Sequence, residues 1–150
     1  MKLAEALNER ADLQKRIEQL RNRLNVNAKV QEGEKPNEEP EELLKELDSC
    51  CVRLEELICR INATNSAAKI DGETICALLA RRDVLKLKVS VISDLLDNAS
   101  VNIRRLGGSE VKILPTVKVS AKRKELDALS AQLRELDTKL QGANWTTDLT

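Results

Sequence analysis

From Leu3 onward, apolar side chains return at alternating steps of three and four residues, and no other feature of the sequence restricts the fold so tightly. Leu3, Arg10, Ile17 and Leu24 recur every seven residues, with Ala6, Leu13, Leu20 and Asn27 three further on, and Leu7 widens the stripe. This is the spacing of a helix that buries one seam against another helix. A second segment repeats it, with Leu44, Cys51, Ile58 and Asn65 at one position and Leu47, Leu54 and Ile61 at the other. In a third, Ile75, Arg82, Val89 and Leu96 alternate with Leu78, Leu85 and Ile92, and a fourth runs Leu126, Leu129, Leu133, Leu136, Leu140. The pattern predicts helices over about 2–29, 40–67, 72–99 and 117–142. Pro40 suits a first helical position, Asp71 reads as the N-cap of the third helix, and Gly72 helps end the second.

Composition agrees. One third of the residues are charged (33%), with one Trp and no Phe or Tyr, as in long helices or coiled coils rather than β-sandwiches. At 150 residues the chain fits one domain spanning 1–150. The expected fold class is all-α, an antiparallel four-helix bundle or paired coiled-coil hairpins. Between the third and fourth helices, "VNIRRLGGSEVKILPTV" places Gly107-Gly108 between two alternating runs, which predicts a small β-hairpin over about 101–114. A three-residue loop of Gly107, Gly108 and Ser109 would set Ile103 opposite Ile113. Pro115 would end the second strand, and Thr116 or Ser120 would cap the last helix.

Charge is balanced overall, 25 basic against 25 acidic residues, so electrostatic recognition must be local. Two clusters stand out. The linker "VQEGEKPNEEP" and the helix start after it carry Glu32, Glu34, Glu38, Glu39, Glu41 and Glu42. Arg104, Arg105, Lys118, Lys122, Arg123 and Lys124 run from the expected hairpin into the fourth helix. An up-down-up-down topology would bring both clusters to one end. The acids suit a solvated helix N-terminus, whereas cations there oppose the helix dipole and call for a negative partner. The linker docking on this basic end, or a bound anion, would supply one.

A third group is the polar seam: Arg10, Asn27, Asn65 and Arg82 stand where leucine is expected, at a cost in stability that can fix register or oligomer state. Asp83 follows Arg82 directly, and its partner is expected from another helix. Trp145, the one aromatic residue, is expected to plug the bundle end or, alternatively, to anchor a partner.

Catalysis and metal binding find little purchase. With no His, a Cys–His pair cannot form, and zinc is disfavoured. The glutamate spacing matches no calcium loop. Cys51 is expected on the seam as a small hydrophobe, and Cys50, Cys59 and Cys76 as incidental reduced thiols. No cofactor, metal or enzymatic activity is therefore expected. The N-terminal segment has no apolar run of signal-peptide length and no stretch is long enough to span a bilayer, so a cytoplasmic location is expected.

"KLAEALNERADLQKRIEQL", "VQEGEKP", "INATN", "RRDVLKLK", "PTVKVS" and "ANWTTDL", in that order, resemble the septicolysin-like family of small bacterial helical proteins. The resemblance covers nearly the whole chain, with "VQEGE" and "NWTT" its more specific pieces, and implies no activity, cofactor or catalytic residue. It departs from the family pattern at Leu114, where an aromatic stands before the proline. The family label suggests a membrane-active cytolysin, but no strongly apolar inserting segment is visible. The expected function is a self-assembling helical scaffold or interaction protein, a homo-oligomer with room for a protein partner. The competing reading is nucleic-acid or anion binding through the basic cluster.

Overall fold

The computed structural model describes residues 1–100 and 113–150. The fold is all-α, with four helices among the described residues, α1 (Leu3–Val26), α2 (Pro40–Ala67), α3 (Ile75–Ala99) and α4 (Val119–Thr146). A minimal hairpin, β1 (Lys69–Ile70) and β2 (Glu73–Thr74), joins α2 to α3. At 24 to 28 residues the helices are each about 36–42 Å long.

The chain divides into two compact units, residues 1–75 with 142–150, and residues 76–141. In the first, α1 and α2 run antiparallel around a core of Leu20, Leu43 and Cys50, with Leu13, Ile17, Leu24 and Leu47 packed against it. Glu5 accepts from the Lys2 backbone N–H at 2.6 Å and closes the start of α1. Pro40 opens α2 at a position where its missing N–H costs nothing. In the second unit Leu78, Leu96 and Leu140 are buried. Arg82, Leu85, Val89 and Ile92 on α3, and Leu126, Leu129, Leu133 and Leu136 on α4, are half-buried, so both expected seams face inward.

Four expectations need correction. The seam of α2 is displaced by one residue at half its positions: Leu43, Cys50, Leu57 and Thr64 are buried beside Ile61, while Leu44, Cys51 and Ile58 are exposed and Asn65 is half-buried. Paired neighbours at 43–44, 50–51 and 57–58 let either register read as a heptad. Second, Asp71 is not an N-cap. Asp71 and Gly72 both take positive φ, 52° and 88°, the signature of a two-residue turn whose twist suits a hairpin. Lys69 pairs with Thr74 and Ile70 with Glu73, and α3 starts only afterwards. Third, α4 begins at Val119, with the Lys118 carbonyl accepting from Lys122 N–H at 3.0 Å, and it continues through Trp145. Ser120 thus lies inside the helix rather than capping it. Fourth, Trp145 is 62% exposed and plugs nothing, whereas Leu149 is buried. Residues 101–112, which carry most of the expected hairpin, lie outside the described residues; Ile113 and Leu114 are exposed coil.

Candidate interaction surface

Along one flank of the α1–α2 pair runs a ladder of ion pairs. Arg53 donates to Glu9 from Nε at 2.6 Å and from Nη2 at 2.9 Å, Arg16 Nε donates to Glu46 at 2.6 Å, and Arg23 Nε donates to Glu38 at 3.0 Å. Residues 9, 16 and 23 climb α1 in steps of seven while 53, 46 and 38 descend α2 and its approach. Such pairing across like flanks is what antiparallel helices in register produce. The hydrogen bonds hold the carboxyls of Glu9 and Glu38 below their usual range, and they push Arg53 further up.

The acidic linker therefore has a partner at its end of α1. Besides the Arg23 pair, Glu38 N–H donates to Asn27 Oδ1 at 3.0 Å, and Asn27 Nδ2 donates to the Arg23 carbonyl at 2.8 Å. Asn27, buried on the seam, clips the linker to the C-terminus of α1. Gly33, at φ 87°, makes the turn the linker needs, next to a Glu34 N–H to Gln31 carbonyl bond of 3.0 Å. Glu32, Glu34, Glu39, Glu41 and Glu42 are exposed, Glu42 pairing with Lys45 at 2.7 Å.

Continued one step further, the ladder would set Lys2 against Arg60, cation against cation. Residues 146–150 supply acceptors to both. Lys2 Nζ donates to the Thr146 carbonyl at 3.2 Å and pairs with Asp148 at 2.7 Å, and Arg60 Nε donates to the Thr150 carbonyl at 3.0 Å. Backbone bonds from Leu3 N–H to the Thr147 carbonyl and from Leu149 N–H to the Met1 carbonyl, both 2.9 Å, fix this segment beside α1. Thr64, fully buried, accepts Thr150 N–H at 3.0 Å and donates to the Arg60 carbonyl at 2.9 Å.

Of the basic cluster, Arg104 and Arg105 lie outside the described residues. Lys118, Arg123 and Lys124 are exposed, and Lys122 is half-buried and bonded to Glu125 at 2.8 Å. The bond from Lys122, and after it the charge of Lys88 on α3, hold the Glu125 carboxyl low. On the polar seam Arg10, Asn65 and Arg82 are half-buried. Asp83 takes its partner from its own helix, against expectation: Arg82 Nε and Nη2 reach Asp83 Oδ1 at 3.1 and 3.0 Å. The long guanidinium arm curls along the helix surface, which backbone spacing alone does not reveal. The thiols of Cys51, Cys59 and Cys76 are exposed and Cys50 is buried, none of them disulfide-bonded. Among the described residues no acid and thiol cluster could hold a metal, and no helix is long and apolar enough to cross a membrane.

A family model for a family of unknown function, DUF6847, matches residues 10–149. The chain belongs to DUF6847. Among solved structures it is similar to the crystal structure of a functionally unknown conserved protein from Corynebacterium diphtheriae, at 39% identity. The alignment covers 100% of this chain and 99% of that one, with a TM-score of 0.93. No curated protein matches the sequence. With no recorded activity to transfer, the surface itself must indicate what a DUF6847 chain of this kind does.

The feature that stands apart on that surface is a second apolar stripe on α3, which heptad analysis of its seam passes over. Val84, Leu87 and Val91 are 66%, 66% and 59% exposed, and Leu95 is 40% exposed. At 100° per residue they share one side of α3, roughly 120° from the seam of Leu78, Leu85, Ile92 and Leu96. The signal was in the sequence: α3 carries apolar residues on two faces, and a helix paired with one neighbour uses only one of them. The outer row of α2, Leu44, Cys51 and Ile58, is also exposed but is interrupted by Asp48 and Glu55.

Proposed function

We propose that this protein is a self-assembling helical scaffold, with the outer face of α3 as its assembly surface. The observation that carries the reading is the stripe Val84, Leu87, Val91 and Leu95, aligned on one face and exposed. Single exposed apolar residues are ordinary on any protein surface, but an aligned row on one helix marks a surface that another molecule covers. A homo-oligomer is the simplest arrangement that covers it, because symmetric pairing of one patch with itself needs no second gene product.

Native mass spectrometry of gently purified protein tests this. A multiple of the chain mass without adducts supports self-assembly; a single-chain mass at high concentration refutes it. A co-purifying protein would make α3 a docking surface for that partner instead.

A second reading, anion or nucleic-acid binding at the start of α4, draws support from one observation. Lys118, Arg123 and Lys124 are exposed around a helix start with no acid in its first turn. A gel shift that weakens steeply with salt supports it, and no shift at low salt removes it.

A further inference from the structure

Which copy-to-copy geometry the α3 stripe supports is set by the charges along its two edges. On one edge lie Arg81 and Lys88; on the other lies Asp83. When two identical helices pack antiparallel about a two-fold axis, each edge meets its own kind, which would bring Lys88 towards Lys88 of the second copy. When they pack parallel, each edge meets the opposite one, and a residue just before a seam position faces the residue five further along on the partner helix. Asp83 then faces Lys88 of the second copy, and symmetry makes the pair twice. Asp83 has 65% of its side chain exposed while it receives Arg82 at Oδ1.

The apolar residues favour the same arrangement. Val84 and Val91 stand seven apart with Leu87 between them, β-branched residues at one seam position and leucine at the other. That is the combination that favours two parallel strands over higher orders. Ala80 extends the seam towards the start of the helix. At the other end Asp94 occupies the place where the next leucine would stand, so the contact closes after Val91 and Leu95 lies to its side.

We infer that α3 is a parallel two-fold dimerisation helix whose occupant is α3 of a second copy, held by Val84, Leu87 and Val91 and oriented by Asp83–Lys88 pairs between copies. This rests on the self-assembly reading and adds the direction of pairing. Its short seam predicts weak, concentration-dependent dimers.

Disulfide trapping in the full chain tests the geometry. Cys51, Cys59 and Cys76 are changed to Ser, buried Cys50 is kept, and Leu87→Cys is added; a mild oxidant should then give a covalent dimer linked 87 to 87. In a parallel pair the two residues at this position lie close to the two-fold axis, within disulfide reach. If Leu87→Cys alone does not link while an equal mixture of Leu87→Cys and Val91→Cys chains does, the pairing is antiparallel. The inference then falls and self-assembly stands. If sedimentation of the unaltered chain shows only monomer up to about 1 mM, weaker than any dimer worth about 4 kcal/mol, both fall together. Charge exchange provides an independent check. Asp83→Lys should weaken the dimer several-fold, and Asp83→Lys with Lys88→Asp should restore it; failure of the double variant to recover would overturn the parallel pairing.

Discussion

Arg53 on α2 grips both carboxylate oxygens of Glu9 on α1, at 2.6 and 2.9 Å, and also reaches Glu56 at 2.8 Å. The pair does more to set register than to add stability, since half-exposed ion pairs contribute little net energy while like charges in register repel. With Arg16–Glu46 and Arg23–Glu38 it allows α2 one alignment against α1. That alignment buries Leu43, Cys50 and Leu57 and turns Leu44, Cys51 and Ile58 outward.

Thiol labelling should read this register directly. In the folded protein Cys51, Cys59 and Cys76 should react readily and Cys50 only on unfolding. Rapid labelling of Cys50 with protection of Cys51, followed by mass spectrometry of peptides, would restore the register expected from the heptads.

Leu20 is fully buried at the centre of the α1–α2 core. Leu20→Ala should cost about 2–5 kcal/mol through lost burial and the cavity left behind. Leu44→Ala, on the exposed row, should fall well below that range in the same urea titration.

How far the sequence discloses this fold depends on the element. The seams of α1 and α4 follow from spacing alone, because each offers one dominant apolar stripe; α3 carries two, and the heptad spacing picks out the half-buried one. For α2, adjacent apolar pairs leave two registers open, and the deciding information is electrostatic: only one register sets Glu46 and Arg53 opposite Arg16 and Glu9. Asp71-Gly72 is a strong turn signal, but strands of two residues have no periodicity to frame it, so it reads equally as a helix boundary. Thr64 gives no warning at all, as its partner Thr150 lies 86 residues away. The candidate surface was half legible: the second stripe on α3 is visible in the sequence, whereas its exposure needs the structure.

Gly72 sits at φ 88° with open space around a would-be side chain, so substitution there strains the backbone without any clash. Gly72→Ala should destabilise by about 1–2 kcal/mol, the cost of left-handed backbone for a residue with a Cβ. Gly33→Ala, at φ 87°, should behave alike. Thermal melts that do not move for either would contradict the turn geometry.

Thr64→Val keeps the shape but leaves Thr150 N–H without its acceptor. A loss of about 1–3 kcal/mol is expected for a part-buried donor left unpaired. Because the strap at 146–150 adjoins exposed Trp145, hydrogen exchange at Leu3 and Leu149 should quicken and the Trp emission should change with it. Unaltered exchange at both amides would mean that Thr64 does not anchor the segment.

Acid should weaken the first unit. The carboxyls of Glu9 and Glu38, held below their ordinary value of 4.5, and that of Asp148, held below 3.8, bind protons less readily folded than unfolded. Their contribution is complete above those ordinary values and is lost as pH falls through the lower folded ones. Urea midpoints should be flat from about pH 7 to 5 and decline below about 4.5, and the decline should shrink in Glu9→Gln. An unchanged decline in that variant would remove Glu9–Arg53 as its source.

Sedimentation velocity of the native chain beside Leu87→Glu, over a wide concentration range and with matched melting curves, tests self-assembly through α3 most directly. The native chain should shift towards dimer as concentration rises, while Leu87→Glu should stay monomeric and melt at nearly the same temperature. Identical association of the two chains, or a native chain that remains monomeric throughout, would contradict an assembly role for this face of α3.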